Sequence, residues 1–344
     1  MNFRNAWVAA GCVALLVLSA CSRKAPEGTF AYVPADTPYV FANREPLPQA
    51  IVDEWNVRFA PLAAAYEKML SRAVLDLAKQ EGADERSARG ARAVLEELKG
   101  NVSFEGLGRL GFDLRGHWAF YGVGLVPVAR WELRDPDAFR AFIGRVEQRW
   151  GEKIPVAKAG DLEYWRVAGG EGELAALFAV SGKQVVATLA PGNASESLVR
   201  RLLGVDRPDD ALEPDVLEKL DSEYGFVPYG SGWIDVVRTA TLLLDEKTGI
   251  EKEFLAALKI EDKPADPVCR GEMLAIAAKF PRAVVGYTRF DAKAVDQVAV
   301  LELPPALAAE FVGIAAPVPG LGASGDALVD FGMSLKLDKL KAAV

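Results

Sequence analysis

Three strand-like runs follow one another closely in the middle of the chain, at Glu163–Ala168, Leu174–Val180 and Gln184–Leu189. Only Ser181-Gly182-Lys183 joins the last two. So short a link suits a hairpin, which would pair those two strands antiparallel. A further run, "WAFYGVGLVPVARWEL" from Trp118 to Leu133, is aromatic and β-branched, as strands are.

Helical periodicity surrounds these runs. Ile51, Trp55, Phe59, Leu62, Tyr66, Met69, Val74 and Leu77 recur at spacings of three to five and predict one long amphipathic helix. A more charged helix is expected from Asp84 to Lys99. Asp135-Pro136 opens another that carries Phe139, Phe142, Ile143, Val146 and Trp150, with proline tolerated in its first turn. Ser195–Leu203 and Glu213–Ser222 complete the expected helices. Hairpins mixed with helices, without a regular βαβ rhythm, predict an α+β fold of mainly antiparallel sheets packed with long amphipathic helices.

The two halves echo each other. "YVPADTPYVFANR" at Tyr32–Arg44 parallels "FVPYGSGWIDVVR" at Phe226–Arg238, and a long helix is expected after each. "DAFRAFI" at Asp137–Ile143 parallels "DKLKAAV" at Asp338–Val344, after the strand-like "PVARWEL" and "GMSLKL". Order and spacing agree, consistent with two related lobes from an internal duplication. The expected organisation is residues 1–20 as a leader, 21–31 as a tether, and lobes at 32–225 and 226–344. The first unit runs on into three more strands. Either the second lobe lacks them or the chain continues past Val344.

Composition narrows the chemistry. Of 344 residues, 51% are hydrophobic and 26% charged, enough apolar content for a sizeable core. The net charge of -8 opposes docking on nucleic acid through general electrostatics, so no nucleic-acid partner is expected. One histidine and three cysteines occur, and Cys12 and Cys21 lie in or beside the apolar leader. Cys269 alone remains for the body, which rules out an internal disulfide, a CxxC pair and a multi-histidine metal site.

Arg4 precedes an apolar stretch from Ala6 to Leu18, too short to favour a membrane span but suited to a secretory leader. Leu18-Ser19-Ala20-Cys21 follows and resembles the lipobox of bacterial lipoproteins. The resemblance implies cleavage between Ala20 and Cys21 and acylation of Cys21, palmitate included. At about 0.8 kcal/mol per buried methylene, two or three acyl chains make a lasting anchor. Ser22 stands where that family's inner-membrane retention signal places aspartate, which implies the outer membrane facing the periplasm. Residues 22–31, "SRKAPEGTFA", read as a tether reaching at most about 35 Å. Pro34-Ala35-Asp36-Thr37-Pro38 also resembles a strand opening found in uncharacterised bacterial envelope proteins.

Each candidate for chemistry has a plainer reading beside it. Gly106-Leu107-Gly108-Arg109-Leu110-Gly111 fits G-x-G-x-x-G, but a helix precedes it and strands follow. That order is wrong for a dinucleotide site and suits a connector. His117, beside Arg115 and Gly116, is a conceivable general base without a nucleophile motif, and a strand-edge histidine otherwise. Cys269 is expected to be a buried or partner-facing structural cysteine, with a lowered thiol pKa near a helix start as the sharper reading. Asp209-Asp210 and Glu261-Asp262 read as solvated acids, and a glycosidase would need two carboxyls across a cleft. Asn101-Val102-Ser103 matches a glycosylation sequon, which a bacterial address makes uninformative. Arg130-Trp131 and Trp165-Arg166 are expected to bury tryptophan on one face and present arginine on the other, as a groove for an anionic or amphipathic ligand or as core packing. "GIAAPVPGLGASG" at Gly313–Gly325 reads as a loop, a candidate partner surface.

No catalytic, cofactor-binding or metal-binding residue is assigned. The expected function is a non-catalytic, membrane-anchored periplasmic lipoprotein serving interaction or envelope maintenance, with an envelope protein or amphipathic ligand as partner. The alternatives are a carrier or chaperone for an apolar or amphipathic ligand, and an envelope hydrolase.

Overall fold

The computed structural model describes residues 28–77, 85–168, 174–245, 249–260 and 266–312, together with 314, 316 and 334–338. Among these, ten strands form one sheet: β1 (Tyr39–Ala42), β2 (Trp118–Val123), β3 (Val126–Glu132), β4 (Val156–Ala159), β5 (Leu162–Ala168), β6 (Leu174–Ser181), β7 (Gln184–Pro191), β8 (Ser231–Asp235), β9 (Arg282–Phe290) and β10 (Val295–Leu301). Their order is β10-β9-β8-β1-β2-β3-β7-β6-β5-β4, and each neighbouring pair is antiparallel. The fold is therefore α+β, as expected, but with a single continuous sheet rather than several. Residues 32–225 contribute seven strands and residues 226–344 three, joined where Val40 faces Trp233 and Tyr39 faces Ile234.

The hairpin at Gly182-Lys183 turns because Gly182 takes φ 59°, and it registers Ser181 against Gln184. Side chains alternate across the sheet, so Val185 and Val186, neighbours on β7, enter different cores. One core gathers Val40, Tyr121, Val128, Leu177, Trp233 and Val284 under α5 (Glu196–Leu203), α6 (Pro214–Tyr224) and α8 (Gly249–Ala257). The other gathers Val180 and Val185 with Phe139, Phe142, Ile143 and Val146, all on α4 (Pro136–Trp150). It also includes Ala93 of α2 (Glu85–Leu98) and Leu110, which ends α3 (Phe104–Arg109).

α4 shows how the local signals work. The Asp135 side chain accepts from the amides of Asp137 and Ala138, and Pro136 fills a position that needs no donor. Gly151 at φ 79° ends the helix in the left-handed conformation. Ser195 caps α5 by accepting from Leu198 N, at 3.4 Å.

Three expectations need correction. The long helix exists as α1 (Gln49–Leu77, 29 residues), but Tyr66 and Met69 of its stripe are exposed. Phe59, Leu62, Val74 and Leu77 lie outside the described side chains. α1 meets α2, α3 and, through Trp55, the end of β9, where Trp55 Nε1 donates to Asp291 O at 2.8 Å. Among its described side chains Val52 is buried, while Tyr66 and Met69 face out. After β8 the expected long helix is instead α7 (Val236–Leu244), α8 and α9 (Pro267–Ala278). The β9–β10 hairpin, absent from the expected strands, is followed directly by α10 (Pro305–Val312). Among the described residues, no helix is long and apolar enough to cross a membrane.

Candidate functional site

Among the described residues, eight charged side chains gather around one cavity where the two halves meet. A cleft of about 520 Å³ is bounded by Tyr32 to Asp36, the β2–β3 turn at Val123-Gly124, the loop from Asp206 to Asp210, Arg238 of α7, and the start of α8 at Gly249–Glu251. Arg201, Arg207 and Arg238 line it with Asp36, Asp206, Asp209, Asp210 and Glu251, so its lining carries both signs.

Its inner wall is built around Tyr32. The chain enters the described fold in a 3-10 turn, Gly28–Tyr32, whose Thr29, Phe30 and Ala31 are buried. That burial holds the Tyr32 ring between two guanidinium groups, with Arg130 3.6 Å and Arg207 5.1 Å from its centroid. Arg130 is 1% exposed. Its Nε donates to Tyr121 Oη at 3.0 Å, Nη1 to Gln184 Oε1 at 3.4 Å and Nη2 to Leu203 O at 2.7 Å. Gln184 in turn donates to Thr29 Oγ1 at 3.1 Å. The Leu203 carbonyl belongs to the last turn of α5, the negative end of a helix dipole. Burial pushes the Tyr121 hydroxyl up despite the pull of Arg130, which keeps it a neutral acceptor.

The cleft's rim explains the Pro34–Pro38 segment. Pro34 bridges Ala211, Ala35 N donates to Asp210 O at 3.0 Å, and Asp36 pairs with Arg238. Thr37 Oγ1 accepts from Gly122 N at 3.0 Å, and Pro38 O accepts from Asp235 N at 2.8 Å. Five consecutive residues thus clasp the α5–α6 loop, β2, and the β8–α7 junction. Arg200 holds Asp206 through two hydrogen bonds of 2.9 and 2.6 Å, which keep that carboxyl below the usual range and so an anion near neutrality.

The expected candidates do not converge. His117 Nδ1 lies 3.1 Å from Glu132 Oε2 at one end of β2. The cleft is at the other end, roughly 20 Å of strand away. Cys269 is exposed in the first turn of α9 and so is not the buried cysteine of one expectation, because the helix's inner face falls on Leu274 and Ala277. Arg130 and Trp131 reverse their expected roles. The arginine is the buried member, and Trp131 stacks half-buried on Trp118, 5.9 Å between centroids. The fork of a guanidinium finds three acceptors inside, whereas the indole needs one and finds Asp113 O at 3.0 Å. Trp165 stacks on Phe178, and half-buried Arg166 donates to Gly192 O.

Gly106–Gly111 runs through α3, after α2 and before β2, with Ser103 capping that helix. Asn101 is tied to Glu97 O and Arg109. Asp209 and Asp210 line the cleft. Ala20, Cys21, Glu261 and Asp262 lie outside the described residues, as do Gly313–Gly325 except Ile314 and Ala316, and Asp338–Val344 except Asp338. Among the described residues, no group of three or more His, Cys, Asp or Glu is placed to hold a metal ion. The sequence reading missed Tyr32, Arg207 and Arg238 as a unit. Tyr32, Asp36 and Arg238 nevertheless stood in the echoed segments, and that was the usable signal.

The fold and cleft define an α+β protein whose charged pocket lies between the two halves of one antiparallel sheet. No protein family, curated protein sequence or solved structure matches the chain.

Proposed function

We propose that the chain is a bacterial envelope lipoprotein, cleaved between Ala20 and Cys21 and acylated on Cys21. It sits at the outer membrane facing the periplasm and serves interaction or envelope maintenance rather than catalysis. The observation that carries this reading is Leu18-Ser19-Ala20-Cys21 after a basic start and an apolar run. The stretch from Cys21 to Gly28 spans at most about 25 Å, so on this reading the Tyr32 wall of the cleft stays close to the bilayer.

Support for a non-catalytic role is the dispersal of reactive groups: His117 with Glu132, the carboxylates of the cleft, and Cys269 on α9 occupy separate parts of the molecule. The mixed-charge lining suits a polar protein surface better than an apolar cargo, which makes a carrier the weaker reading. The test is metabolic labelling with a palmitate analogue. Label should appear on the wild-type protein and vanish with Cys21→Ala, whereas label retained by Cys21→Ala would sink the lipoprotein reading.

The same reading includes a diverged duplication. Its support is topological: β1-β2-β3 and β8-β9-β10 each comprise a strand, a helical excursion and a hairpin, and they flank the β1–β8 pair. The echo sets Tyr39 on Trp233 and Val40 on Ile234, and the ladder pairs Tyr39 with Ile234 and Val40 with Trp233. Exchanging the echoed residues maps each of these two pairs onto the other, as a diverged two-fold repeat would. By this topology the counterpart of α4 is α10, which directly follows its hairpin, rather than Asp338–Val344.

A further inference from the structure

The cleft between the two halves holds opposite charges that do not meet. Half of its lining residues are charged. Two of the carboxylates are neutralised: Asp36 pairs with Arg238, and Asp206 with Arg200 from outside the lining. The others stand open. Among the described residues Arg201 and Arg207 form no ion pair, and neither do Asp209, Asp210 and Glu251.

The scaffold explains why these groups do not collapse onto one another. Arg201 lies in the last turn of α5, and Arg207 is drawn over the Tyr32 ring, 5.1 Å from its centroid. Glu251 lies in the first turn of α8, with its carboxyl over Gly124 of the β2–β3 turn, where a Cβ would strike it. Asp209 and Asp210 belong to the loop that Ala35 N clasps through Asp210 O at 3.0 Å. Each sign is thus held by its own contacts.

Opposite charges that line one hollow without pairing are preorganised for a ligand that carries both signs. A simple anion would meet the open carboxylates, and a simple cation the open guanidinium groups. No group of three or more His, Cys, Asp or Glu among the described residues is placed for a metal ion. An apolar chain would strip water from the charges and return no hydrogen bond. At about 520 Å³ the cleft lies within the range, about 300–1,000 Å³, of pockets that hold a ligand of several groups. Arg201, Arg207, Asp209 and Asp210 are exposed at its rim, so a chain can lie in it without having its ends enclosed.

We infer that this cleft binds a short segment of a partner protein that carries an acidic and a basic side chain within a few residues. The segment's carboxylate goes to Arg201 and Arg207, whose planar forks suit it, and its cation goes to Asp209, Asp210 and Glu251. The inference rests on the interaction reading and deepens it by naming the partner's chemistry. It does not need the acyl anchor.

The probe is a panel of acetylated, amidated alanine tetrapeptides carrying one glutamate and one lysine at every pair of positions. Matching panels with two glutamates or two lysines are the controls. Each is titrated by calorimetry into the full-length protein in detergent. The best mixed-charge peptide should bind at least about tenfold more tightly than any control, and added salt should weaken it. Arg207→Glu should move the preference to the two-lysine panel, and Asp209→Lys to the two-glutamate panel. Both positions are exposed, so the urea midpoint should stay unmoved.

No binding by any mixed-charge peptide, equal binding across the three panels, or a preference unmoved by both reversals overturns the inference. Binding that requires a free amino or carboxyl end overturns the protein segment as occupant. A peptide bound selectively but recovered cleaved would sink the non-catalytic reading and leave the cleft's selectivity standing. Absence of palmitate from Cys21 removes the anchor alone, and the titration still decides the cleft.

Discussion

The Arg130 guanidinium lies over the Tyr32 ring, 3.6 Å from its centroid, and donates its Nη2 to the last carbonyl of α5 at 2.7 Å. A buried cation is costly unless its donors are satisfied, and here neutral partners do the work: a ring face, a phenol, an amide and a helix C-terminus. Those partners come from four separate parts of the chain, so this one side chain ties the N-terminal turn to β2, β7 and α5.

Arg130→Lys should cost about 3 kcal/mol in urea unfolding, because one ammonium cannot reach the three acceptors that the fork serves and stays charged when buried. Arg130→Met, which removes the charge along with the hydrogen bonds, should cost less, about 1–2 kcal/mol. Lysine tolerated as well as methionine would show that the fork geometry is irrelevant.

Gly204 ends α5 at φ 75°, and a Cβ there would lie 2.0 Å from Arg130 Nη2 and 2.6 Å from the Tyr32 ring. Gly151 ends α4 at φ 79° with open space around it. Gly151→Ala should therefore cost only the left-handed backbone term, about 1 kcal/mol. Gly204→Ala should cost at least about twice that. Thermal unfolding of the two variants separates backbone strain from the close approach.

Glu97 is 6% exposed on α2 and takes Nε of Arg145 at 2.7 Å and of Arg149 at 2.5 Å from α4. Burial raises its carboxyl, and the two arginine hydrogen bonds more than offset that, so the folded pKa sits below the usual value. A depressed folded pKa contributes stability above the unfolded value, about 4.3, and loses it as pH falls through the folded one. Glu97→Gln should lower stability by about 2 kcal/mol at pH 7. The gap to wild type should close as pH drops well below 4.3, as read from urea midpoints across pH.

Within the Pro34–Pro38 clasp, the buried neutral group should matter more than the charged one. Thr37 is buried and its hydroxyl accepts from Gly122 N, so Thr37→Val should cost about 2 kcal/mol by stranding that amide. Asp36 forms an exposed ion pair with Arg238, and Asp36→Asn should change stability by less than about 1 kcal/mol. Chemical denaturation of both variants ranks the two contacts.

Local physics was readable along the chain. Asp135-Pro136 announced α4 and Gly182 announced a hairpin, because caps, fixed φ values and periodicity act within a few residues. The paired echo also marked two strands, β1 and β8, that pair with each other within the sheet. By itself, then, the sequence determined the α+β class and the antiparallel pairing of adjacent runs.

Tertiary structure decided the rest. Alternation says that Arg130 and Trp131 face opposite sides, but not which side is buried. That depended on Tyr32, Tyr121, Gln184 and Leu203 arriving from distant parts of the chain to satisfy a guanidinium. Likewise the stripe on α1 names a face without naming what covers it: Trp55 reached the β9–β10 turn, whereas Tyr66 and Met69 ended exposed. The cleft exists only because β1 and β8 pair across almost two hundred residues, bringing Tyr32 and Arg238 to one place. Burial and charge compensation are properties of contacts between distant segments, which is why they became legible only in the folded chain.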